Sequence, residues 1–422
     1  MSKGPLLTLR TSATPYLTLL IISIIGGQFL QYAYQAEPIF KAQSAGILFV
    51  LATAVLTVVV WSVLMVRRRM MGLPLLVITG MIALWSFATL RIVSQDGAFN
   101  YTALFTPVML LMLALKPPDS REAIRFGDTT AVALAISVAA TQFLDLSNLR
   151  ANRTDIVSRW GVPIPGFDTS VRWEGMFSDP NFAGFIGAFL CTYGLFRWHR
   201  TISTWAVPLG VLIVVVSESR SAIAATCVGL ATFLVLRGSR LLGRLSVPNW
   251  ILMSGAGLLV AIPVILSIVV DPTLNGRIPI WRSMIELAAE SPLIGVGSDR
   301  ILEASQEAVI PWGNLDGHSV VLDPLARNGV VAGVTAFLVL AGVALLSIRA
   351  FPRDLGLSFG VFATFLLGAM TYTVTTWQYP TVQLLPLLTA LLIASAGVQV
   401  SRRRSRSPRK QGDLTRQVIR QE

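Results

Sequence analysis

Charge is scarce in this chain: Asp, Glu, Lys and Arg together make up 13% of its 422 residues, against about a quarter in an ordinary soluble domain. So few ions cannot cover the surface of a large water-soluble globule. Histidine and cysteine are scarcer still, with two of each. Cys191 and Cys227 both lie in apolar runs, where a thiol packs as a small hydrophobe, so neither a disulfide framework nor a thiolate metal site is indicated. One His among scattered carboxylates gives no H-x-E-H or D-x-D constellation, and no metal is expected. A Walker loop, a dinucleotide fingerprint and a G-x-S-x-G elbow are also missing, and no cofactor is expected.

Hydrophobic residues fill the gap, at 54% of the chain, and the mean hydropathy is +0.67. A hydrocarbon core of about 30 Å takes roughly 17 to 25 mostly apolar residues per helix. On that criterion the chain is an all-α, polytopic transmembrane helical bundle of about 12 spans, at 16–34, 45–66, 72–90, 99–115, 127–146, 180–196, 202–217, 221–236, 249–270, 329–348, 355–374 and 381–399. The transmembrane domain thus covers 16–399, between a cytoplasmic N-terminal segment (1–15) and a basic cytoplasmic tail (400–422). The first apolar stretch is of span length and has no small-residue cleavage site behind a short core, so no cleavable signal is expected.

The formal charge of +12 is explained by where the charges lie. With both termini in the cytoplasm, Arg67 to Arg69, Lys116, Arg121, Arg125, Arg197, Arg200, Arg237, Arg240, Arg244, Arg349, Arg353 and the tail "SRRRSRSPRK" all fall on the inner side, and the outer segments hold more acidic than basic residues. This satisfies the positive-inside rule, so the basic balance reflects topology and anionic headgroups; no nucleic-acid partner is expected. Two substantial hydrophilic segments face outward, 147–179 and 271–328, and inner loops are short. Any chemistry is therefore extracytoplasmic.

Four outer stretches carry the candidate residues. In "SESRSA" (217–222), a tight turn between spans, Arg220 suits either snorkelling to headgroups or pairing with a lipid-borne phosphate. In "LNGRIPIWRSMIELAAESPLIGVG" (274–297) an Asn-Gly turn precedes Arg277, and Ile280, Trp281, Met284, Ile285 and Ala288 recur at helical spacing. That pattern predicts an amphipathic helix lying on the outer membrane face, with Arg277 before it and Arg282 on it. "RWEGMFSDPNFAGFIGAF" (172–189) reads as a helix entry, with Ser178 or Asp179 as N-cap, Pro180 in the first turn and Asn181 structural. Arg172 and Glu174 just upstream are available to substrate or to each other as a surface ion pair. In "GHSVVLDPLARNGVVAG" (317–333) His318 stands beside Asp316 and Asp323 immediately before a span. Its imidazole fits a loop position or a base that takes a proton from an attacking hydroxyl, and Asp323-Pro324 suits a cap on the entering helix.

Taken in order and on one face, "FSDPNFAG" (177–184), "SESRSA" (217–222), "NGRIPIWRSMIELAAESPLIGVG" (275–297) and "GHSVVLDPLARNGVVAG" (317–333) resemble the O-antigen ligase and Wzy-type polymerase superfamily. The resemblance covers residues 170 to 350, with the first five spans matched by hydropathy alone. It implies a polytopic, GT-C-like architecture in the bacterial inner membrane, with an extracytoplasmic loop subdomain. It also implies an undecaprenyl-diphosphate-linked glycan donor, a hydroxyl-bearing glycan, lipid or protein acceptor, and no metal. Arg220 and Arg277 match the family's diphosphate-binding arginines and His318 the histidine assigned to acceptor activation; Arg172 and Arg282 are further candidates for substrate binding. Where the family often has Asn after that His, this chain has Ser319. Within the superfamily a ligase, a polysaccharide polymerase and a protein O-glycosyltransferase would share the donor site. A secondary transporter or lipid-linked glycan flippase is the alternative from another class, but transporters place their charges near the midplane of broken helices. Here the charges gather in outer loops.

Overall fold

The computed structural model describes residues 17–18, 21–22, 24–25, 39–41, 73–96, 98–100, 110–111, 113, 118–143, 179–241, 276–311, 318–354, 356–371 and 384–405. The expected spans 45–66 and 249–270 lie outside these residues, as do most of 16–34 and 99–115. Among the described residues the chain is helical apart from one small ribbon. In that ribbon β1 (Ile39–Lys41) pairs antiparallel with β2 (Ala98–Asn100), Phe40 opposite Phe99. The helices are α1 (Leu73–Asp96), α2 (Ser120–Phe143), α3 (Pro180–Phe196), α4 (Thr201–Ser217), α5 (Arg220–Leu241), α6 (Arg277–Glu290), α7 (Gly297–Gln306), α8 (Leu322–Asp354), α9 (Leu357–Thr371) and α10 (Leu384–Ser405). By length and composition Ser120–Ala140 and Leu322–Ala350 suffice to cross a membrane, and α1, α3, α4, α5, α9 and α10 contain shorter apolar helices.

Helix α3 is the axis of the bundle, with every residue from Ala183 to Leu195 buried. It starts as its sequence dictates: Asp179 holds an extended backbone and accepts the Asn181 N–H at 2.6 Å, and Pro180 follows at the first helical position. Small residues then let other helices close on it. A Cβ on Gly210 of α4 would stand 2.5 Å from the Cys191 nitrogen and 2.6 Å from the Gly187 carbonyl, so the two backbones pack directly. On another side Thr192 shares a 3.0 Å hydrogen bond with Thr364 of α9, and Phe185 meets Phe365 edge to face.

These contacts fix the relative direction of the helices. Phe185 lies against Phe365 and Phe196 against Gly360, so α3 and α9 are antiparallel. Val77 meets Gly342 and Gly80 meets Val339, so α1 and α8 are antiparallel too. One end of the bundle therefore collects the start of α3, the α4–α5 turn, the start of α8 and the end of α9. The opposite end holds Arg197, where α3 finishes, and Ala350 of α8, which touches Gly397 of α10.

At that second end a polar lock ties α2 to α3. Arg197 donates to both carboxylate oxygens of Asp128, at 3.2 and 3.0 Å, and the Tyr193 hydroxyl donates to the same carboxylate at 2.8 Å. Removing the guanidinium leaves the half-buried Asp128 carboxylate with Tyr193 as its remaining side-chain donor here. Arg197→Ala is accordingly expected to cost about 1–3 kcal/mol, read as a lower Tm in detergent. Arg197→Lys recovers only part of it, because an ammonium cannot fill a two-oxygen fork.

Candidate functional site

The α4–α5 turn presents Arg220. Glu218, buried and left-handed at φ 49°, ends α4 by donating its N–H to the Val215 carbonyl. Ser219, fully buried, starts α5: its Oγ accepts the Ala222 N–H at 3.3 Å and donates to Oδ1 of Asn181 at 3.0 Å. The structural role expected of Asn181 is thus to pin this turn to the start of α3. Arg220, the first residue of α5, stands exposed above it.

Arg277 is likewise the first residue of its helix. Gly276 precedes it at φ 79°, a left-handed position natural to glycine, and accepts the Ile280 N–H at 3.4 Å. Unpaired N–H groups and the helix dipole favour anions at such a terminus. Arg277 is half-buried and Arg282 exposed. The apolar stripe of α6 differs from its expected use. Ile280, Met284, Leu287 and Ala288 are buried in a cluster with Ile301 and Ala304 of α7, Ile310, and Ala326 of α8. That stripe is covered by protein, and of the large apolar side chains on the helix only Ile278 and Ile285 remain exposed. The Ser283 hydroxyl adds a bond to the Val309 carbonyl at 2.9 Å.

His318 stands at φ 44°, half-buried, with its Nδ1 buried. A side chain at positive φ is strained, and strain of this kind gathers where function over-determines the backbone. The helix behind it is capped by Ser319, whose Oγ accepts the Leu322 N–H at 3.3 Å and the Val321 N–H at 3.4 Å, while its carbonyl accepts the Asp323 N–H. This corrects the expectation for Asp323. The buried Asp323 carboxylate instead accepts from Arg327 one turn on, at 3.0 Å, and Arg327 reaches Ser298 of α7 at 3.0 Å. Sequence reading passed over Arg327, although its i,i+4 spacing from Asp323 was visible. Because Ser and Asn are comparable N-caps, Ser319→Asn is expected to preserve stability. Ser319→Ala is expected to lose about 1 kcal/mol, read by thermal unfolding.

The Val320 N–H donates to the Ala369 carbonyl at the end of α9. Leu367, two residues earlier, packs on the cluster containing Ala222 and Ala225 of α5. The His318 turn and the Arg220 turn thus flank the same end of α9. Module α6–α7 joins that end at a break in α8: Gly329 is non-helical (φ 84°, ψ −179°), the Val330 N–H reaches the Pro292 carbonyl at 2.7 Å, and the Val296 N–H reaches the Ala326 carbonyl at 2.8 Å. Arg220, Arg277 and His318 accordingly belong to one end of the bundle. Arg172 lies outside the described residues, as does Asp316.

A family model described as Wzy_C, O-Antigen ligase, matches residues 205–337. This stretch runs from α4 through the first half of α8 and encloses Arg220, Arg277, Arg282 and His318. No curated protein matches the chain. Over that stretch, about a third of the chain, the protein is similar to the O-antigen ligase family.

Proposed function

We propose that the protein moves a glycan from an undecaprenyl-diphosphate carrier to an acceptor hydroxyl on the extracytoplasmic face of the bacterial inner membrane. Arg220 and Arg277 hold the diphosphate, and His318 removes the acceptor proton. The observation that carries this reading is the joint placement of the three residues, inside the O-antigen ligase match, on turns at one end of the bundle. Two guanidiniums stay ionised at any working pH and offer forked donors to phosphate oxygens, so they answer the negative charge that grows on the leaving diphosphate without a metal. As the acceptor oxygen attacks the anomeric carbon, the new C–O bond forms, the bond from that carbon to the diphosphate breaks, and the acceptor proton passes to the imidazole. A single displacement of this kind inverts the anomeric centre.

The reading also includes twelve spans, cytoplasmic termini and an outer α6–α7 subdomain. Modest outer loops favour a ligase-like acceptor, with polysaccharide polymerisation or protein O-glycosylation as the sister reactions. Purified protein in vesicles, given an undecaprenyl-diphosphate glycan and separate glycan, lipid and peptide acceptors, distinguishes them. Transfer to one acceptor class, undiminished by a chelator, is expected. Transport of the intact lipid-linked glycan without transfer would establish the flippase alternative.

A further inference from the structure

The turn joining α6 to α7 has no charged residue from Ser291 to Ser298, and its tip carries two strongly exposed large apolar side chains. Leu293 is 72% and Ile294 62% exposed. Their backbone rests on Gly329, where α8 breaks, and Pro292 accepts the hydrogen bond of Val330, the first residue past the break. From there α8 presents a continuous exposed apolar stripe, Val330, Val331, Val334, Phe337, Leu338, Leu345 and Ile348. Residues 330 to 348 rise about 28 Å as a helix, close to the thickness of a hydrocarbon core, before the exposed Arg349. The break therefore sits at the edge of the hydrocarbon, and the tip sits beside the break.

We infer that Leu293 and Ile294 insert into the acyl-chain region of the outer leaflet, so that the α6–α7 turn is a membrane anchor continuous with the lipid-facing stripe of α8. On either side of the tip the backbone is satisfied by protein, as burial in hydrocarbon demands. Gly295 donates to the Ser291 carbonyl, Val296 to Ala326, and Pro292 has no N–H to satisfy while its carbonyl is taken by Val330. The base of the turn is closed in the polar layer by Arg300, which donates to Glu290 at 3.3 Å and to Glu307 at 3.0 Å. The hydrogen bonds to Glu307 and then Glu290 push its pKa further up, so the base stays charged while the tip stays neutral. Bilayer lipid is the occupant this arrangement selects, because the same surface runs unbroken into a helix long and apolar enough to span.

The inference rests on the chain being membrane-embedded and not on the catalytic assignment. The test uses the full chain with Cys191→Ala and Cys227→Ser, a single cysteine at Leu293→Cys or Ile294→Cys carrying an environment-sensitive fluorophore, and a reference at Glu303→Cys on the exposed side of α7. Each is reconstituted into phosphatidylcholine vesicles with acyl chains brominated near the headgroup or left unmodified, after Tm confirms folding. The tip positions are expected to emit at shorter wavelength and to be quenched by brominated lipid several-fold more than the reference. Quenching no greater than at the reference overturns the inference. Short-wavelength emission without bromolipid quenching also overturns it, and marks a second copy of the chain as the cover. Because the readout is independent of turnover, tip quenching in a protein that fails to transfer glycan would sink the proposed function alone.

Discussion

His318→Ala is expected to slow glycan transfer by about 10²–10⁴-fold, the range lost when a positioned general base is removed, while leaving capture of the lipid-linked donor nearly unchanged. The asymmetry follows from what the imidazole does. In the proposed mechanism it contacts the acceptor hydroxyl as that oxygen becomes nucleophilic, an interaction confined to the transition state, so its loss is expected to fall on kcat and spare donor KM. The substitution keeps a Cβ at φ 44° and leaves Ser319 to cap α8, so the variant should fold about as well as the parent. An activity loss with unchanged Tm separates a chemical role from a structural one. His318→Gln, which keeps a polar side chain and cannot take up the proton, should be as slow as the alanine variant.

Arg220→Ala and Arg277→Ala form the second prediction, each with a loss of about 10²–10³-fold in kcat/KM, the size expected when one preorganised donor to a developing oxyanion is deleted. Here the expected pattern reverses, because in the proposed mechanism the guanidiniums contact the diphosphate before and during transfer, so donor KM should rise as kcat falls. Arg→Lys at either position should restore part of the activity, since an ammonium supplies charge without the fork. Arg282, exposed on the outer side of α6, is expected to tolerate alanine with little change. That contrast tests whether position at a helix start, and not positive charge alone, defines the donor site. Steady-state kinetics on detergent-purified variants checks all three.

Local signals in the sequence carried far into the structure. Asp179-Pro180 announced the start of α3, and the Gly329 boundary fell where α8 breaks, because caps, prolines and left-handed glycines act through a few neighbouring residues. Partners distant in the chain were not readable. Apolar spacing in 280–288 revealed a stripe on α6, but nothing in the spacing says whether lipid or protein covers it; Ile310 and Ala326 do. Asp323 was given to a cap and serves Arg327 instead, since Ser319 stands one turn earlier and reaches the free N–H groups first. The lock between Asp128 and Arg197 joins helices 69 residues apart in sequence, a pairing only tertiary packing can specify. For the site, the sequence named Arg220, Arg277 and His318. The structure adds that the turns bearing Arg220 and His318 meet at the end of α9, through Val320, Ala369 and Leu367.

The most direct measurement of the central claim is donor binding set beside single-turnover transfer, for wild type, Arg277→Ala and His318→Ala in the same vesicles with an undecaprenyl-diphosphate glycan. The account predicts that Arg277→Ala loses donor binding and transfer together, whereas His318→Ala binds donor like the wild type and fails to transfer it. Full transfer by either folded variant, or loss of donor binding in the histidine variant with binding intact in the arginine variant, would contradict it.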